Sequence, residues 1–69
     1  MRAIDELVNE FAKVMKRKLY DKFMEGKAGW DNPLWSVEDM KRQLIEHVEK
    51  GDPIDVANYA AFWWNRRSR

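Results

Sequence analysis

Glu46, Glu49, Asp52 and Asp55 place four carboxylates within ten positions, the densest set of chemically capable side chains in the chain. Each pair is spaced i, i+3, so on a helix its members share a face. Carboxylates this close repel one another unless a cation sits among them. Hard divalent cations such as Mg²⁺ or Mn²⁺ take oxygen ligands of this kind. A second reading uses the same residues differently. Asp52 stands directly before Pro53, so it suits the N-cap of a helix whose first position is that proline, with Asp55 as the capping-box acid. Glu46 and Glu49 are then simply solvated.

Other side chains could serve a site. His47 falls near the negative end of its helix, where a cation is favoured; without an evident acid or nucleophile beside it, it reads as a structural or surface histidine. Lys13, Lys16, Arg17, Lys18 and Lys22 form a basic run, with Lys18 and Lys22 one turn apart. Such a run is ordinarily a solvated helix face. Together with Arg66, Arg67, Arg69 and an exposed tryptophan it would suit nucleic acid, although Asp21 and Glu25 dilute it. Trp63, Trp64, Arg66 and Arg67 are the residues expected to meet a macromolecular partner.

The elements that must position these groups are three helices. Ile4, Leu7, Val8, Phe11, Val14, Met15, Leu19 and Phe23 recur at helical spacing, predicting a long first helix over Ala3 to Glu25. Its acids come early and its bases late, as the helix dipole favours, and Gly26 stops it. Residues Gly26 to Trp35 read as a turn-rich connection, with Asp31-Asn32-Pro33 at its turn. Trp30, Leu34 and Trp35 in that connection are expected to fold back onto the helices, or to form an aromatic platform for a base or partner. Ser36 is the N-cap of the second helix, whose stripe is Val37, Met40, Leu44 and Val48 flanked by Ile45. Gly51 ends it. The third helix runs from Pro53 to about Arg67 with a stripe of Ile54, Ala57, Ala61 and Trp64. Val56, Tyr59, Phe62 and Trp63 make it apolar nearly all round, as for a central helix or one half-covered by a second subunit. Trp63 and Trp64 point about 100° apart, so one can enter the core while the other meets a second surface.

The chain has 69 residues, no cysteine, one histidine and a formal net charge of +1. That length makes a single domain over 1–69 with a marginal core. The composition excludes a disulfide framework and a thiolate zinc site, and it leaves no global signature for binding polyanions. No apolar run is long enough to cross a membrane. The expectation is a soluble, cytoplasmic protein, stabilised by aromatic packing or by forming a homodimer through helices one and three.

Asp55-Val56-Ala57-Asn58-Tyr59-Ala60, preceded by the E-x-x-E pair Glu46/Glu49 and by Gly29-Trp30, resembles the end of the MazG-like nucleotide pyrophosphohydrolase family, in particular its small phage and prophage members. The resemblance covers roughly Gly29 to Trp64. It implies an all-α, oligomeric fold that binds Mg²⁺ through E-x-x-E and E-x-x-D motifs on successive helices and cleaves nucleoside triphosphates. Glu46 and Glu49 would match the first motif; Asp52 and Asp55 would match the second, with Asp in place of its Glu. Asn58 would match a polar residue just after it. Asn58, Lys18 and Lys22 would then contact nucleotide. Only Lys50 and Gly51 separate the motifs here, against a much longer separation in the family, and Pro53 leaves Asp52 at the cap rather than on the helix face. This is the pattern of a shortened relative that kept the hairpin and lost the active site.

The sequence therefore predicts an all-α, three-helix domain: a long helix, an aromatic-rich loop and a helical hairpin. The leading functional expectation is a phage-type interaction protein on a reduced MazG-like scaffold. It would bind a host or phage macromolecule without catalysis and need no cofactor. The alternatives are a Mg²⁺-dependent nucleoside triphosphate pyrophosphohydrolase and a nucleic-acid-binding module.

Overall fold

A computed structural model describes residues 2–26, 29, 30 and 32–68 of the chain, with the side chain of Arg2 left out. Within them are three helices and no strand: α1 (Arg2–Met24), α2 (Val37–Lys50) and α3 (Pro53–Arg67). The all-α architecture with an α2–α3 hairpin is the one the hydrophobic periodicity predicts. The helix bounds agree to within a residue, which is as closely as helix ends are defined. Asp31 and Arg69, assigned above to a turn and to the basic tail, lie outside the described residues.

Local chemistry explains the elements. Ser36 caps α2 by accepting from the Asp39 N–H at 3.1 Å, satisfying one of the donors a helix start leaves open. Gly51 follows α2 in the left-handed conformation, φ 77°, and its N–H returns to the carbonyls of His47 and Val48. The next N–H, of Asp52, also bonds to the His47 carbonyl, at 3.0 Å. The chain can thus turn within Gly51 and Asp52 and start α3 at once, which folds α3 back along α2.

The hairpin is the better-packed part of the molecule. Met40 of α2 is the one apolar side chain, among the described residues, that is wholly buried. The hairpin and the connection before it also carry an aromatic cluster. Trp35 meets Tyr59 and Phe62 edge-on with centroids 6.0 and 5.7 Å apart, and Trp30 stacks on Phe62 at 5.8 Å. The His47 ring meets Tyr59 edge-on at 5.0 Å. Offset and edge-to-face pairs of this kind contribute about 0.5–1.5 kcal/mol beyond their burial.

Three expectations about packing need correction. Leu34 does not fold back with Trp30 and Trp35; it is 89 % exposed, because the Asn32 side chain takes its N–H at 2.9 Å and turns it outward. The face of α3 that goes deepest is not Ile54, Ala57, Ala61 and Trp64. Its two buried residues are Asp55 and Asn58, polar groups that an apolar pattern passes over. Finally, Asp55 does not complete a capping box, since the Asp52 N–H already bonds to His47 and the Asp55 carboxylate faces α1.

Candidate functional site

Asp52 and Asp55 converge, as their i, i+3 spacing predicts, and what they converge on is a side chain of α1. The Lys18 ammonium lies 2.7 Å from Asp52 Oδ2 and 2.9 Å from Asp55 Oδ2. Lys22, one turn further along α1, places its ammonium 3.6 Å from Asp55 Oδ1. His47 completes the group from α2, with Nε2 3.3 Å from Asp55 Oδ2. Its Nδ1 lies 2.9 Å from the Gln43 carbonyl; a carbonyl only accepts, so Nδ1 carries a proton. One carboxylate thus gathers groups from all three helices.

Asp52 serves two purposes at once. Its Oδ1 accepts from the Asp55 N–H at 3.1 Å, capping α3, while Oδ2 takes the Lys18 ammonium. The hydrogen bond from Lys18, followed by that from the Asp55 backbone, holds the Asp52 carboxyl well below the usual carboxylate range. The hydrogen bonds that the Lys18 ammonium donates, to the Asp52 carboxylate first and the Asp55 carboxylate second, raise Lys18 above the ordinary lysine value. Burial, and then the nearby carboxylates of Asp55 and Glu46, push the Tyr59 phenol up.

Glu46 and Glu49 lie exposed on α2. Among the described residues no group of three or more His, Cys, Asp or Glu side chains is placed to hold a metal ion. The oxygens of Asp52 and Asp55 that a divalent cation would use are turned to two ammonium groups of the chain itself. As arranged, Asp52 and Asp55 hold an internal lysine between them.

Beside this cluster opens a cleft of about 540 Å³, within the range of small-molecule sites. Its walls are Trp30, Trp35, Tyr59 and Phe62, and its polar lining includes Lys22, Asp55 and Asn58. Asn58 is 3 % exposed. Its Nδ2 donates a long 3.5 Å bond to the Met15 carbonyl, and its Oδ1 has no partner.

The C-terminal set separates into two pairs. The Arg66 guanidinium donates to the carbonyls of Trp35 at 2.7 Å and Asn32 at 2.8 Å, tying the connection onto α3. Trp63 is half-buried beneath the Lys41 ammonium, 5.0 Å from its ring centroid. Trp64 and Arg67 instead face outward, with Trp64 68 % exposed.

Lys18 as the partner of Asp52 and Asp55, and Arg66 as the clamp on the loop, were not read from sequence. The one available signal was the i, i+4 spacing of Lys18 and Lys22, matched by an i, i+3 pair of acids elsewhere.

A comparison with family models finds no match, and comparisons with curated proteins and with solved structures find no significant one.

Proposed function

We propose that this chain is a small, non-catalytic interaction protein on a reduced MazG-like scaffold of phage type, binding a macromolecular partner through the Trp64 end of α3. The observation that carries this reading is the Lys18 ammonium between Asp52 and Asp55. The carboxylates that a hydrolase would give to a metal are engaged in fastening α1 to the hairpin. Trp64 and Arg67, one turn apart and exposed, are residue types enriched where protein partners bind. The half-burial of Trp63 and the loop contacts of Arg66 leave these two as the outward members of the set. The same engagement of Lys18, Lys22 and Arg66 weakens the case for a nucleic-acid surface, which needs its cations free for phosphate.

The aromatic cleft favours a second reading, a nucleotide-binding enzyme that uses Asn58 and Lys22, in which Asp52 and Asp55 would have to release Lys18 to take Mg²⁺. A backbone-amide NMR titration with Mg²⁺ and then a nucleoside triphosphate, beside a phosphate-release assay, separates the two. The interaction reading expects no saturable shifts at Glu46, Glu49, Asp52 and Asp55 and no turnover. Saturable shifts there with hydrolysis, abolished by Asp55→Asn, would put the enzyme first.

A further inference from the structure

Asp55 and Asn58, one turn apart on α3 and its two buried residues, both line the aromatic cleft. Each carries an acceptor that the chain serves poorly. Lys18 holds Asp55 Oδ2 at 2.9 Å. Among the described residues the partner of Oδ1 is the Lys22 ammonium at 3.6 Å, an ion pair too long for a hydrogen bond. The Asn58 amide is closed to water with its Oδ1 unpartnered, and its one bond, from Nδ2 to the Met15 carbonyl, is a long 3.5 Å. A buried acceptor without a donor is costly. A side chain so lightly held can turn its oxygen to a donor that enters the cleft.

The walls say which donor fits. Trp30 stays 43 % exposed although it stacks on Phe62, so indole surface is open to a ligand. Aromatic faces attract cations, and a planar cation also stacks on them. The charges ask for a cation as well. Asp52 and Asp55 share Lys18, while Lys22, 36 % exposed on a flexible stem, is the ammonium that can turn out to water. With Lys22 withdrawn and His47 neutral, two carboxylates face one ammonium and a single negative charge is left over. We propose that the cleft binds a small molecule carrying a guanidinium or amidinium group. Its plane lies against Trp30, and its N–H groups donate to Asp55 Oδ1 and Asn58 Oδ1 in place of Lys22. Two donors on one rigid plane suit two acceptors from one face of α3, where an ammonium offers only a point charge. A cleft of about 540 Å³ is large enough for such a molecule. The site stands independently of what the Trp64 end binds, and it uses neither a metal nor a phosphate.

Benzamidine is the probe, with benzamide, its neutral isostere, and benzylamine, its point-charge counterpart, as controls. Each is titrated into the isotope-labelled full chain and followed by NMR, at a pH above the ordinary histidine value of about 6.5. Benzamidine is expected to give saturable shifts at the Trp30 and Trp35 indole N–H and at the Asn58 side-chain amide. It should bind at least about tenfold more tightly than either control. Asn58→Leu removes the unpartnered oxygen, so the fold should be retained by circular dichroism while benzamidine binding weakens about tenfold. Lys22→Met removes the competing ammonium and should tighten benzamidine severalfold, whereas a nucleotide that placed its phosphates on Lys22 would be weakened. No saturation at about 10 mM benzamidine overturns the proposal. So does equal binding of benzamide or benzylamine, a folded Asn58→Leu variant that binds like wild type, or a Lys22→Met variant that binds benzamidine no better. Should Asn58→Leu fail to fold, the two controls and Lys22→Met still decide.

Discussion

Asp55 holds Lys18, Lys22 and His47 on one carboxylate, so its replacement tests how α1 is fastened. Asp55→Asn keeps the backbone N–H that Asp52 uses for its cap and removes only the charge. Breaking a fully buried pair from one side costs about 3–5 kcal/mol; here the lysines are about one-third exposed and solvent screening reduces the effect. Urea unfolding should show a loss of about 1–3 kcal/mol. Adding Lys18→Met to that variant should cost less than Lys18→Met alone, because the partners act together. The pH dependence follows from the same contacts. Asp52 is held below its ordinary value, so its contribution is complete above the normal carboxylate range and is lost as pH falls below about 3.8, the unfolded value. Lys18 and Tyr59 are raised, so theirs is complete below pH 10 and is lost as pH rises above it. Thermal melts should show a plateau between these limits, and Lys18→Met should flatten both flanks.

The hairpin turn was the most legible element because its residues have few other uses. Gly51, Asp52 and Pro53 are a helix stop, a cap and a first helical residue in succession, and each takes that role. A Cβ on Gly51 would meet no atom within 4 Å, so any cost of substitution lies in the backbone alone. Gly51→Ala should lower stability by about 1–2 kcal/mol, measured by thermal unfolding, and Gly51→Asn by less, since asparagine tolerates the left-handed region. The connection was harder to read. Hydrophobicity put Leu34 inside with Trp30 and Trp35, but the Asn32 side chain takes the Leu34 N–H, and the connection itself is tied down by Arg66, more than 30 positions along the chain. The deep face of α3 escaped the pattern for a related reason. Its buried members, Asp55 and Asn58, are recognisable only once their partners on α1 are known. The acid cluster was legible as a cluster, therefore, while its occupant was not.

At the scale of the molecule, the helices are unequally attached. Among the described residues, α1 packs on α3, and no close approach of its backbone to α2 within 8 Å is recorded. Its hold on the hairpin includes the ion pairs of Lys18 with Asp52 and Asp55, that of Lys22 with Asp55, and the Asn58 bond to the Met15 carbonyl, whereas the wholly buried apolar side chain, Met40, belongs to α2 of the hairpin. Opening free energies within one protein differ with the local density of contacts. Amide hydrogen exchange on dilute protein should then fall into two tiers, with α1 exchanging through an opening well below the global one and the centres of α2 and α3 only through complete unfolding. Salt screens partly exposed charges, so raising it from about 0.1 M to 1 M should speed exchange in α1 and leave the hairpin tier nearly unchanged. The folding order follows from the same asymmetry: the hairpin closes a short loop and can form first, and α1 docks afterwards on a surface already made.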